Sequence, residues 1–270
     1  MRIIVLGARG MLGQMAVRYF RARGVDLVVV NERFDFSAQC PGLSRLASLG
    51  PGLVLNCIGL IGQKSLVRQD LCDANALLPL QIYERLCEGQ FLVHPSTDCV
   101  FSGRRSAPYS TADLCDATED YGWSKRLGEV ALAGKPQAVV LRVSLIGPDA
   151  LGNPPQGLLG WFLGQPDGSK LDGYANHFWN GVTTLEWCRK VDEFFAEGLT
   201  EGWGGRIVQL GTNEVYSKYD MLLLFQELYR TRHTISPVSK GAGVYRVLRA
   251  EYVSPPLRNQ LKDLVAFWGQ

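Results

Sequence analysis

The sequence predicts an α/β protein: a doubly wound parallel sheet with a small C-terminal lobe. Three observations carry this. Short apolar runs at 2–6, 27–30, 53–57, 91–94 and 138–142 alternate with segments of helical periodicity. The runs are apolar nearly throughout, as strands covered on both faces must be. After residue 146 the rhythm breaks at a Gly- and Pro-rich stretch, 147–157, which reads as a loop.

In chain order, residues 2–6 form a buried strand ended by Gly7. Met11, Leu12, Met15, Ala16 and Tyr19 then recur at helical spacing. A second strand follows at 27–30 and a weaker helix at 41–49. A Pro51-Gly52 turn leads into the third strand. A longer helix is expected over 70–88, a fourth strand at 91–94, a helix over 119–133 and a fifth strand at 138–142. Beyond the loop comes a helix near 158–164, and then a polar and aromatic stretch at 172–181. Thr183-Thr-Leu-Glu186 has the spacing of a capping box and opens a helix to Ala196. Residues 207–210 make one more core strand, and Ser217-Lys-Tyr-Asp220 precedes a helix to Tyr229. The final 40 residues yield no assignment. The main domain is therefore expected over 1–146, with 181–212 returning to it, and the lobe over 147–180 and 213–270.

With 46% hydrophobic and 20% charged residues, the 270-residue chain can bury a large core. Its net charge of +2, with no basic run, argues against a nucleic-acid partner. Three separated histidines and seven cysteines without CxxC spacing suggest neither a metal site nor a secreted disulfide scaffold. No apolar run is long enough to cross a bilayer, and no signal sequence precedes the first strand. A cytoplasmic protein without membrane partners is expected.

Gly7-Ala-Arg-Gly10-Met-Leu-Gly13 lies between the first strand and the first helix. Glycines there let the backbone turn tightly and approach a pyrophosphate, held by the helix N-terminal amides at Gly10, Met11, Leu12 and Gly13. Placed at the start of a βαβ series, the loop specifies a Rossmann-type, dinucleotide-binding sheet. The second strand ends at Asn31, where an NAD site usually presents an acid. Arg9 and Arg33 could fork onto a 2′-phosphate. NADP(H) is the expected cofactor, with NAD(H) open as the alternative because Glu32 is adjacent.

Tyr121-Gly-Trp-Ser-Lys125 places a phenol and an ammonium on one helix face. The ammonium is expected to favour the phenolate, so that Tyr121 gives a proton to a carbonyl oxygen and recovers it through Lys125. Ser96-Thr97-Asp98 follows the fourth strand, and Thr97 could hold the substrate oxygen. Asn176, His177, Trp179 and Asn180 offer either a base- or sugar-binding surface or a structural loop. The 147–157 loop, with Asn153 and Gln156, could close over a nucleotide diphosphate, and Lys64 and Arg68 either meet that diphosphate or are solvated.

These stretches, with VLNCIG at 54–59 and LRVSLIG at 141–147, resemble the extended short-chain dehydrogenase/reductases, especially the dTDP-4-dehydrorhamnose reductase branch. The resemblance implies an NADPH-dependent reductase of a nucleotide-linked keto-sugar, with Tyr121 as proton donor, Lys125 as its partner and Thr97 as the triad hydroxyl. It further implies that Asn56, Cys57 and Gly59 line the cofactor's central ribose, that Ser144 sits beside the nicotinamide, and that Asp98 and Cys99 face the sugar. A homodimer is compatible with it. SLIG and NHFWNG depart from the branch's pattern where the sugar would be recognised, so the particular sugar is not specified. An epimerase that recycles its cofactor and a non-catalytic NADP-binding regulatory subunit are the alternatives.

Overall fold

Alternate residues of each apolar run face opposite sides of a sheet, and here both sides are covered. Ile3, Val5, Leu53, Leu55, Val139 and Leu141 enter one apolar cluster, and Ile4, Leu6, Val54, Leu92 and Val140 enter the other. The computed structural model describes residues 2–32, 34, 40–62, 67–149, 157–198 and 200–269. Arg33, Lys64, Asn153 and Gln156 lie outside them.

The central sheet consists of β1 (Arg2–Leu6), β2 (Asp26–Val30), β3 (Gly52–Asn56), β4 (Gln90–Ser96), β5 (Ala138–Arg142), β6 (Ile207–Thr212) and β7 (Tyr252–Ser254). All are parallel, in the order β7-β6-β5-β4-β3-β1-β2. The order reverses between β1 and β3, which opens a crevice at their carboxyl ends. Helices α1 (Met11–Ala22), α3 (Thr184–Ala196) and α5 (Leu257–Trp268) pack on the first cluster, whereas Leu132 of α2 (Asp120–Leu132) enters the second. Helix α4 (Lys218–Tyr229) belongs to the lobe and adds Met221 and Phe225 to the first cluster.

The lobe pairs Lys170–Tyr174 with Thr234–Val238, and His177–Trp179 with Tyr216–Ser217 and Val244–Tyr245. Asn180 ties it to the sheet: its Nδ2 donates to the carbonyls of Thr212 and Leu248, and its Oδ1 accepts from the Leu248 amide. That assigns Asn180 a structural task.

Three expectations change. Residues 252–268 were placed in the lobe, yet β7 extends the main sheet and Leu257, Leu261 and Leu264 of α5 enter its core. The box at Thr183 is shared: Thr183 Oγ1 accepts the Glu186 amide, while the Thr183 amide donates to Gln260 of α5 and not to Glu186. The helix expected over 70–88 is three pieces: Arg68–Cys72, a π-wound stretch Asp73–Leu77, and Leu78–Tyr83. Pro79 has no amide to give the Asn75 carbonyl four residues back, and the chain winds wide there. The Asn75 side chain donates to the Leu60 carbonyl at 2.8 Å and to Ser124 Oγ at 2.9 Å, and accepts the Leu60 amide at 3.0 Å.

Candidate active site

The glycine loop is shaped by contacts that exclude side chains. Gly7 has φ +79°, and a Cβ there would lie 2.7 Å from Ile58 Cγ1. A Cβ at Gly13 would lie 2.1 Å from the Gly7 carbonyl oxygen, so α1 packs directly on the loop. Gly10 differs: its nearest neighbours to a Cβ are 3.7 Å away, and no side chain caps α1 at that position. The first-turn amides are thus left for a ligand.

Gly10, Met11 and Leu12 floor a cavity of about 320 Å³ whose walls are formed by Cys57, Gly59, Thr97, Tyr121, Lys125 and Ser144, among others. Three of the side chains predicted to meet the cofactor lie elsewhere. Asn56 is fully buried, its side chain bonded to His94 and the Ile58 amide, and does not line the cavity. Asn31 and Arg9 line a separate open hollow on the far side of the loop, together with Arg18 and Arg21. Glu32, the residue that favoured NAD(H), is ion-paired with Arg45 at 2.6 Å.

Thr97 follows β4 and caps the short turn Asp98–Val100. Its hydroxyl donates to Asp98 Oδ1 at 3.1 Å and accepts the Cys99 amide at 3.2 Å. Helix α2 is pressed onto this turn because residue 122 is glycine; a Cβ there would be 2.1 Å from the Cys99 carbonyl oxygen. Tyr121 is thereby brought to Thr97, and Lys125, one turn on, to the end of β4, where its Nζ donates to the Pro95 carbonyl at 2.6 Å.

Burial governs the electrostatics. It pushes the Tyr121 phenol well above its ordinary range, with the Thr97 hydroxyl pulling the other way. This corrects the expectation that the ammonium favours the phenolate: desolvation sets the direction, Lys125 is not among the groups that shift the phenol, and Tyr121 is neutral. Burial lowers Lys125 to about 8, against the pull of Glu129. Asp98 is raised by burial, opposed by Arg246 and by hydrogen bonds from Thr97, Cys99 and Ser144. Beneath the site, Glu129 and Arg142 form a fully buried ion pair at 2.8 Å, and Ser96 Oγ donates to the same carboxylate at 2.6 Å.

A second cavity, about 420 Å³, shares Asp98, Cys99, Ser144 and Leu145 with the first. Its outer wall holds His177, Trp179, Lys218 and Arg246. Arg246 donates to the Phe101 carbonyl at 3.0 Å, Cys99 Sγ at 3.3 Å and Glu119 at 3.0 Å. Burial holds His177 below its usual range, and Lys218 and Arg246 add to this. Trp179 is buried yet lines this wall, whereas Asn176 reaches towards the Gly241 carbonyl and lines neither cavity. Arg68 is exposed and paired with Asp120 at 2.9 Å. Sequence reasoning missed Lys218 and Arg246. Lys218 carries no signal beyond following the Ser217 cap, and Arg246 falls in the stretch that resisted assignment. Among the described residues, no cluster of ligands could hold a metal ion and no helix is long and apolar enough to cross a membrane.

The family described as RmlD substrate binding domain matches residues 1–153. A probable dTDP-4,6-dihydroxy-2-methyloxan-3-one 4-ketoreductase of Streptomyces antibioticus is 33% identical over 152 residues, which are 53% of this chain and 51% of that protein. Methionine adenosyltransferase 2 subunit beta of Danio rerio is 28% identical over 161 residues, 54% of this chain and 48% of that one. The chain thus spans about half the length of the curated relatives it matches. A dTDP-4-dehydrorhamnose reductase of Bacillus anthracis, solved in complex with NADP, has a TM-score of 0.79 at 17% identity, covering 98% of each chain. At that identity the likeness is one of fold.

Proposed function

The chain belongs to the RmlD substrate binding domain family, and from that premise we propose that it is an NADPH-dependent reductase of a nucleotide-linked keto-sugar, of the 4-keto-6-deoxy class. The observation that carries this is the convergence of Thr97, Tyr121 and Lys125 on one cavity that shares a wall with a second, where Lys218 and Arg246 stand beside Asp98 and Glu119.

The residues fit a dinucleotide. The uncapped start of α1 and the open space over Gly10 suit a pyrophosphate, and the hollow lined by Arg9, Arg21 and Asn31 suits a phosphorylated ribose. Glu32 is engaged by Arg45, which supports NADPH over NADH. When bound, the nicotinamide supplies hydride. Tyr121, kept neutral by burial, donates its proton to the carbonyl oxygen as charge develops there. Thr97 orients that oxygen by turning to it the hydroxyl hydrogen that Asp98 Oδ1 otherwise accepts, while the Cys99 amide still donates to Oγ1. Lys125 restores the proton. Lys218 and Arg246 take the diphosphate of the substrate, and Trp179 offers an apolar wall to its rings.

The same reading makes the partner a small anionic molecule and not a nucleic acid, in keeping with a net charge of +2, and the cytoplasm its compartment. An epimerase would need Tyr121 both to take a proton from a hydroxyl and to return one, and would turn over without added NADPH.

The test is a panel of dTDP-, UDP-, GDP- and CDP-linked 4-keto sugars, with NADPH absorbance as readout. Turnover with at least one, lost in Tyr121→Phe while NADPH still binds, is expected. Tight NADPH binding without turnover across the panel overturns the reading. Co-purification with a methionine adenosyltransferase would then favour a non-catalytic subunit, the Danio rerio relative being named as subunit beta of such an enzyme.

A further inference from the structure

Behind Lys125 lies a pair of buried side chains that the proposed chemistry does not use. Asn56 ends β3 and His94 lies in the neighbouring β4; both are fully buried. The Asn56 amide orientation is dictated by its surroundings. Its Oδ1 accepts the Ile58 amide at 3.1 Å, a group that can only donate, so its Nδ2 faces His94 Nδ1 at 3.0 Å. An amide NH₂ also only donates. Nδ1 must therefore present its lone pair, and the imidazole carries its hydrogen on Nε2. That Nε2 points at Lys125 Nζ, 3.5 Å away.

An Nε2–H donor facing an ammonium sets donor against donor, whereas facing an amine it meets a lone pair. The Pro95 carbonyl, 2.6 Å from Nζ on another side, accepts a hydrogen from either form. We propose that His94, its hydrogen fixed on Nε2 by Asn56, is a positioning residue that holds Lys125 between amine and ammonium and so sets the pH range over which Tyr121 is resupplied with protons. The pH-rate part rests on the reductase reading; the tautomer and the state of Lys125 do not.

The other groups around Lys125 are consistent with this division of labour. On its own helix it is faced by Tyr121 one turn back and Glu129 one turn on, and only Glu129 favours the charge. From β4 it meets His94, which burial and Lys125 together keep well below the usual histidine range and hence neutral. Cys57, Asp98, Cys99 and Asp149 complete the titratable lining of the cavity, and burial pushes both thiols up to about 12. In each turnover one proton leaves Tyr121 for the product oxygen, one passes from the Lys125 ammonium to replace it, and Lys125 takes one from water. His94 neither gains nor loses a proton.

The chain has three histidines, so nitrogen–proton correlation spectra of the 270-residue protein with NADP⁺ resolve each ring. His94→Phe identifies the signals of His94, and Lys125→Met those of the Lys125 Cε. A neutral His94 with the hydrogen on Nε2 is expected. In Asn56→Asp the carboxylate accepts from Nδ1, the tautomer reverses, and Nε2 becomes an acceptor for the ammonium. The Lys125 titration, read from its Cε shift, should then move to higher pH by about one unit or more, a tenfold change in the ammonium-to-amine ratio. His94→Phe should move it the same way by less, and the alkaline limb of kcat should follow in both. An Nδ1–H tautomer in the unmodified protein, or a Lys125 titration unmoved in Asn56→Asp, overturns the proposal. If no substrate turns over, the reductase reading fails while the two spectroscopic readouts still decide this one.

Discussion

Replacing Glu129 by Gln tests whether the frame under the catalytic turn is held by charge. Glu129 and Arg142 are both fully buried. The carboxylate accepts four donors: Arg142 Nε at 2.9 Å, Arg142 Nη2 at 2.8 Å, Ser96 Oγ at 2.6 Å and Arg126 Nη1 at 3.0 Å. Glutamine keeps one acceptor oxygen and turns an NH₂ towards a guanidinium. One charge-assisted bond to Arg142, worth roughly 1.5–3 kcal/mol, is lost outright. The cation is otherwise met by Gln209 Oε1 at 3.1 Å, Cys115 Sγ at 3.6 Å and the face of the Phe101 ring, 4.9 Å from its centroid. Leaving a buried charge without its partner costs about 3–5 kcal/mol. That is a large share of a total stability of roughly 5–15 kcal/mol. Urea unfolding followed by tryptophan fluorescence measures it. The double variant Glu129→Leu/Arg142→Met, which removes both charges, should be less destabilised than Glu129→Gln alone. A loss below about 1 kcal/mol for the single variant, or a double variant worse than the single, would refute the reasoning.

Gly13→Ala puts a methyl 2.1 Å from the Gly7 carbonyl oxygen, a backbone atom that cannot swing away. A loss of about 1–3 kcal/mol and a weakened NADPH affinity by fluorescence titration are expected. Lys125 binds fewer protons folded than unfolded between about 8 and its ordinary 10.5. Stability should therefore rise with pH across that window, by up to about 3 kcal/mol. Lys125→Met should flatten that rise in denaturation curves taken at several pH values. Arg246→Gln should raise KM for the nucleotide-sugar about tenfold, roughly 1.4 kcal/mol, and leave the NADPH dissociation constant unchanged; an unchanged KM removes Arg246 from substrate binding.

Much of the fold was legible because its signals are local. Strand burial shows in five apolar runs, and the spacing of Tyr121 and Lys125 is a single helical turn. The glycine loop reads directly because Gly7 and Gly13 touch each other across six residues of chain. What escaped depends on long-range packing. Arg246 meets Cys99 across 147 positions and has no motif around it. β7 has only three residues, too few for alternation to register, and its place in the sheet comes from pairing with β6. The position of Asn56 at a strand end is readable, but the direction of its side chain is not; it turns inward because His94 and the Ile58 amide both need a partner there.

Gly122 and Gly128 have a mechanical meaning beyond close packing. They seat α2 on two backbone carbonyls, those of Cys99 and Asn75, while the Asn75 side chain holds both the amide and the carbonyl of Leu60 and donates to Ser124 of the helix. The groups that would move protons and the turn that would support the dinucleotide are therefore tied to each other directly, through Asn75 and the seat of α2. The Leu60 amide and the amides of α2 should exchange their hydrogens in a single cooperative opening. The lobe side, where Arg246 and Lys218 stand, should exchange in an opening of its own.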